Sequence, residues 1–282
     1  MIITTKIKSL QQTLELNRNS NKTVGLVPTM GALHEGHVSL INLAKNDCDI
    51  VICSIFINPT QFNDSNDLNN YPIETDKDSK LLNKKKCDIL FLPDVKEMYP
   101  KGLKSNKYNL NGLDNILEGK HRQGHFDGVC TIIHKLFSII TPDYSYFGMK
   151  DFQQVAVVRQ LTRLLNLPVE IKTGNTIRES DGLAKSSRNR LLSSCQRKRS
   201  TVIFESLTEI KKIYGKKDCI DLKKIVKKKI SCTKEMQLDY IEIINPTTFK
   251  PIKGKGNNEK AVALIAVFVG NLRLIDNLAL ND

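Results

Sequence analysis

Residues 24–40 read V-G-L-V-P-T-M-G-A-L-H-E-G-H-V-S-L, an apolar run that passes through a turn into a segment with helical spacing. A helix start carries free N–H groups and the positive end of the dipole, so this junction suits phosphate. Gly31 and Gly36 allow close backbone approach. His34 and His37 stand three residues apart, on one face of the first turn, where both can donate to phosphate oxygens. The same pair also reads as two polar residues at an ordinary helix end. Zinc fits poorly, because H-E-G-H lacks the i, i+4 spacing of H-E-x-x-H and no third ligand is evident. The segment matches neither G-x-x-x-x-G-K-S/T nor G-x-G-x-x-G.

Working outward, apolar runs alternate with amphipathic stretches through about residue 175, the pattern of β-α-β units in a parallel sheet. The runs at 24–27, 50–57, 89–92, 144–147 and 169–172 predict strands covered on both faces. Helical spacing falls at 36–46, 76–86, 128–140 and 152–165. After Arg178 a long lysine-rich helical region, 196–230, precedes β-like runs at 240–244 and 262–269, as in a smaller α+β domain. The fold class expected is α/β: a Rossmann-like parallel sheet over 1–177 that binds nucleotide, then an α+β domain over 178–282 covering the site.

The length of 282 residues agrees with about two domains. Composition is globular, with 40% hydrophobic and 26% charged residues. The 43 Lys and Arg against 30 Asp and Glu leave a net charge of +13, which favours anionic partners. Much of that excess sits at 84–86, 211–217 and 223–229, and the last two runs read as solvated helix faces. Nucleic-acid binding ranks low, because only 6% of residues are aromatic and there is no Trp. Seven dispersed cysteines without a C-x-x-C pair argue against a disulfide framework or zinc ribbon and for a reducing cytosol. No apolar h-region follows the N-terminal charges, and the longest apolar run, 261–269, is far short of the roughly 20 residues a membrane helix needs. A cytoplasmic protein without membrane partners is expected.

H-x-G-H at the end of the first strand is a pattern of nucleotidyl-transferring α/β folds, and P-T-M-G-A-L-H-E-G-H (28–37) resembles the nucleotide motif of the pantothenate synthetase, or pantoate–β-alanine ligase, family. S-I-F-I-N-P-T-Q-F-N (54–63), G-H-F-D-G-V (124–129), F-G-M-K-D-F-Q-Q (147–154), D-G-L-A-K-S-S-R-N (181–189) and L-R-L-I-D-N (272–277) are similar to that family in the same order. The resemblance implies ATP-dependent ligation of pantoate and β-alanine through a pantoyl adenylate, releasing pyrophosphate and AMP. It also implies ATP arriving with Mg²⁺ and a homodimer formed through the N-terminal domain.

By that resemblance His37, His34, Lys150 and Arg188 carry the chemistry, with His37 in the position of a proton donor. Met30, Gly31, Ala32, Leu33, His34, Glu35, Gly36 and His37 form one wall of the ATP site. Gly148, Met149, Lys150 and Asp151 form another at a strand end, with Ile177 and the phosphate-covering Lys185, Ser186, Ser187 and Arg188 completing it. Gln61 and Gln154 match the glutamines assigned to pantoate, Gln61 also lying near β-alanine. Asn58 and Phe62 are second choices, and Arg122, His125 and Phe126 are candidate pocket residues. K-S-S-R alone reads more readily as a surface loop of a basic protein, and Asp151 with Gln154 reads equally as a helix capping box. Three positions depart from the family pattern: Lys185 replaces an apolar residue, Gln123 a proline, and Met149 an acid, which leaves one carboxylate fewer for magnesium and no protein metal ligand assigned. A nucleotidyltransferase that keeps the nucleotide in its product is the alternative reaction class.

Overall fold

The computed structural model describes residues 1–18, 20–256 and 259–281. It falls into two compact units, Met1–Asn175 and Thr176–Asp282, so Ile177 belongs to the second.

In the first unit β1 (Ile2–Thr4), α1 (Ile7–Arg18), β2 (Val24–Thr29), α2 (Glu35–Asp47) and β3 (Ile50–Ile55) are followed by α3 (Ser65–Asn69), α4 (Thr75–Lys84), β4 (Ile89–Phe91) and α5 (Val95–Met98). Then come α6 (Leu117–His121), α7 (His125–Ile140), β5 (Tyr144–Gly148), α8 (Phe152–Leu164) and β6 (Glu170–Gly174). The six strands lie in the order β1-β4-β3-β2-β5-β6, and every pairing is parallel.

Strand alternation sorts the side chains to two covered faces. Val24, Leu26, Ile50, Ile52, Ile89 and Phe91 pack with residues of α1, α7 and α8. Val27, Val51, Cys53, Ile55 and Leu90 pack with Leu40, Ile41 and Ala44 of α2 and Leu82 of α4. The order reverses between β2 and β5, whose register pairs Gly25 with Tyr144 and Leu26 with Ser145. Open parallel sheets bind ligands beyond the carboxyl ends of the strands at such a reversal, and the segments 30–37 and 148–151 both emerge there.

The second unit contains α9 (Ser194–Arg199), α10 (Thr201–Ile213), α11 (Cys219–Ser231), β7 (Met236–Ile244), β8 (Val262–Val269) and β9 (Leu272–Ala279). The expected lysine-rich helical region is therefore three helices, interrupted by the turn at 214–218. Their apolar faces, with Leu207, Ile210, Leu222, Val226 and Ile230, bury against alternate residues of an antiparallel β7-β8-β9 sheet. The lysines point the other way, several of them paired: Lys223 with Glu242 and Lys229 with Glu209. Arg178 makes a bidentate pair with buried Asp276 at 2.7 and 3.0 Å, donates to the carbonyls of Gly182 and Asn277, and stacks on Phe204.

Candidate active site

The turn between β2 and α2 carries the two histidines. His34 is the N-cap of α2: its Nδ1 accepts from the Gly36 N–H at 3.1 Å, and His37 Nδ1 accepts from the His34 N–H at 3.3 Å. This is a capping box built from two imidazoles, with ring centroids 4.1 Å apart. Gly36 is required there, because a Cβ would stand 2.8 Å from His34 Cε1. A backbone N–H needs an unprotonated ring nitrogen, so both neutral rings carry their proton on Nε2. Each half-buried ring thus has Nε2–H as its donor.

Six backbone N–H groups of the turn, which the sequence suggested as phosphate donors, already have acceptors within the protein. The amides of Gly31, Ala32, Leu33, His34, Gly36 and His37 donate in turn to Thr29 Oγ1, Asp78 Oδ2, Asp78 Oδ1, His37 Nδ1, His34 Nδ1 and the His34 carbonyl. What the turn offers an anion is imidazole N–H together with the helix dipole.

Asp78 of α4 is the clamp. It is 2% exposed and accepts from Ala32 and Leu33 at 2.8 Å each. Those bonds hold Gly31 and Ala32 at φ of 86° and 49°, a conformation that is costly for alanine. Burial raises the Asp78 carboxyl above the ordinary carboxylate value, with the two backbone bonds opposing the shift. Sequence reading missed Asp78, because it lies 45 residues from the turn it holds.

After β3 the chain makes a single 3-10 turn, Pro59–Gln61. Gln61 Nε2 lies 2.9 Å from Met30 Sδ, which joins this turn to the histidine segment. The Gln61 carbonyl accepts from His125 Nδ1 at 2.7 Å, and His125 Nε2 faces Arg122 Nη1 at 3.1 Å. Because Arg122 can only donate and a carbonyl can only accept, His125 is the Nδ1–H tautomer. It is a buried brace for the Gln61 turn.

At the end of β5, Lys150 is partly buried and lies 3.5 Å from Asp151 Oδ1. Asp151 is the N-cap of α8 without a side-chain cap bond, so the expected Asp151–Gln154 capping box is not formed. Gln154 is half-buried on α8. Its neighbour Gln153 points inward and satisfies the Glu118 N–H and the Leu113 and Ile116 carbonyls.

In the second unit, K-S-S-R leads into a 3-10 turn, Ser187–Leu191, capped by Ser186 Oγ, which accepts from the Arg188 N–H. Lys185 pairs with Glu179 at 2.8 Å, its own N–H donates to the Ile177 carbonyl, and Ser187 is buried. Ile177 and Lys185 are therefore backbone partners. Among the described residues no three His, Cys, Asp or Glu side chains stand together as a metal site, and no helix is long and apolar enough to cross a membrane.

The family described as pantoate-beta-alanine ligase matches residues 2–279. The chain is 44% identical over 281 residues to the pantothenate synthetase of Caldicellulosiruptor saccharolyticus, covering 99% of both, and 44% identical over 283 residues to that of Cytophaga hutchinsonii, again covering 99% of both. Among solved structures, pantothenate synthetase from Thermus thermophilus superposes with a TM-score of 0.92 at 35% identity over 100% of each chain. Pantoate-beta-alanine ligase from Francisella tularensis, complexed with beta-gamma ATP and beta-alanine, gives 0.82 at 36% identity over 99% of this chain and 98% of that one. With nearly the whole chain matched in sequence and in fold, the protein belongs to the pantoate-beta-alanine ligase family.

Proposed function

We propose that the family's reaction, ATP-dependent ligation of pantoate and β-alanine, is carried out here by His34, His37, Lys150 and Arg188. In the first step a pantoate carboxylate oxygen attacks the α-phosphorus of ATP and pyrophosphate leaves. In the second the β-alanine amine attacks the acyl carbon of the adenylate, and AMP leaves as pantothenate forms. Both anions of the first step carry like charge, so the work of the site is neutralisation and alignment. The Nε2–H groups of His34 and His37 donate to phosphate oxygens where charge grows, and Lys150 and Arg188 supply cations.

The residues assigned to the nucleotide are Met30 to His37 and Gly148 to Asp151, together with Ile177 and Lys185 to Arg188. Gln61 and Gln154 bind pantoate. Mg²⁺ enters as the ATP complex rather than in a protein cage, a reading supported by the missing carboxylate at Met149. The chain works as a cytoplasmic homodimer paired through its N-terminal unit.

The reciprocal imidazole cap carries this reading, since it leaves two rigid N–H donors on one face of a helix start. The test is pyrophosphate release from Mg·ATP by the purified protein. Release that requires pantoate, with AMP and pantothenate appearing once β-alanine is added, is the expected result. Release without pantoate, or a stable nucleotidylated product, defeats the reading.

A further inference from the structure

Asn58 is 1% exposed, yet it sits beside a glutamine read as a substrate ligand. Its carboxamide makes four hydrogen bonds. Nδ2 donates to the Gly128 carbonyl at 3.1 Å and to Gln61 Oε1 at 3.2 Å, while Oδ1 accepts from Tyr99 Oη at 2.7 Å and Thr60 Oγ1 at 3.0 Å. A primary amide has two N–H groups and two strong acceptor positions, so all four are spent inside the protein.

The direction of this network is fixed at one end by backbone. The Gly128 carbonyl can only accept, so the atom of Asn58 facing it is nitrogen. That same nitrogen then faces Gln61, which must present oxygen to it and turns its own NH2 away, toward Met30. Helix α7 approaches the turn so closely that a Cβ on residue 128 would overlap the Thr60 carbonyl. Burial pushes the Tyr99 phenol up, so it remains a donor through the neutral range. The Tyr99 ring also lies beside the tilted Phe56 ring, with centroids 6.3 Å apart, and under Lys135 Nζ.

We infer that Tyr99 and Asn58 are positioning residues for the ligation, a relay that locks the Gln61 carboxamide with its NH2 on the Met30 side, one N–H on the Met30 sulfur and the other directed to substrate, so that this site selects an oxygen acceptor such as the pantoate carboxylate or a hydroxyl oxygen. The inference rests on Gln61 binding pantoate. A free glutamine could offer either end; here the end is chosen in advance, and the acceptor preference follows from the buried side.

Asn58→Asp is nearly isosteric and reverses the relay. A carboxylate cannot donate to Gln61 Oε1, so the Gln61 amide flips and presents oxygen to substrate. The expected result is a rise of about tenfold or more in the pantoate KM, with the ATP KM held within about twofold. Tyr99→Phe, which leaves Thr60 on Asn58 Oδ1, raises the pantoate KM about two- to fivefold with kcat unchanged and the melting temperature near wild type. Each variant is combined with Gln61→Ala, and the effects should not add: once Gln61 is gone, neither Asn58→Asp nor Tyr99→Phe costs anything further. If Gln61→Ala raises the pantoate KM but either folded partner variant leaves it unchanged or adds independently, the relay is overturned. If Gln61→Ala itself leaves the pantoate KM unchanged, the assignment of Gln61 to pantoate fails first, which is a separate and recognisable result. Tyr99→Phe keeps the test decisive if Asn58→Asp does not fold.

Discussion

Two segments read as phosphate-binding are built on opposite principles. The turn at 30–37 has its backbone amides tied down, by a buried carboxylate on one side and by two imidazole nitrogens on the other, and presents side-chain donors from a rigid base. The segment at 185–188 is a capped 3-10 turn whose lysine is already paired with Glu179. The first holds its donors aligned by the fold itself. The second brings charge on long side chains, and that charge must leave an internal partner to reach a ligand. Transition-state stabilisation should therefore concentrate in the first segment, and ground-state attraction in the second.

The sharpest break of this contrast is His37→Ala. It removes a preorganised Nε2–H and half of the cap, and should lower pantoate-dependent pyrophosphate release about 10²- to 10³-fold. His37→Gln, which can place an N–H near the lost Nε2, should recover part of that, and His37→Asn should not. A rate for Ala within a few-fold of wild type removes His37 from the chemistry. Next in size is Asp78→Asn. One carboxylate acceptor becomes an NH2 facing a backbone N–H, so chemical unfolding should show a loss of about 1 to 3 kcal/mol, with the ATP KM rising because the turn loosens. Unchanged stability would mean that Asp78 is a bystander to the turn. Lys185→Ala should be weaker, shifting the ATP KM only a few-fold with kcat nearly intact, because Glu179 already offsets its charge. A loss in kcat as large as that of His37→Ala would erase the distinction between the two segments.

The central strands and the helices between them were legible because each is a continuous apolar run or a clear amphipathic face. Residues 2–18 were not: β1 has three residues on the sheet edge, with Ile2 and Ile3 half exposed, so burial leaves little imprint on its composition. The strand over 272–279 was missed because its alternation is interrupted by two buried polar residues, Asn277 and Asp276, the latter held by its ion pair with Arg178 rather than by apolar character. In the site, the histidine pair was visible as spacing, whereas its function as a cap was not, since histidine is not among the favoured N-cap residues. Asp78 and Tyr99 act across 45 and 41 residues of sequence, and no local pattern carries that information. The Asp151–Gln154 pair shows the opposite failure, a capping motif present in sequence but left unformed.

The smallest effects separate the two units by the sign of their pH dependence. Burial raises Asp78, so the folded chain binds that proton more tightly than the unfolded one. Its contribution is therefore greatest below the ordinary value of 3.8 and is lost as pH rises through the raised folded value. Asp181 runs the other way. Arg197 Nη1 and Nη2, at 2.8 and 3.1 Å, hold its carboxyl below 3.8, assisted by the Leu183 N–H. Its contribution is present above 3.8 and lost as pH falls through the lowered value. Asp181 is exposed, so screening limits it to about 0.2 to 1 kcal/mol. Urea midpoints measured from pH 3 to 7 should lose a rising limb in Asp181→Asn and a falling limb in Asp78→Asn. Limbs of the same sign in both variants would show that the clamp of the histidine turn is held by ion pairing, as the surface carboxylate is, and that the contrast between the two segments is not electrostatic in origin.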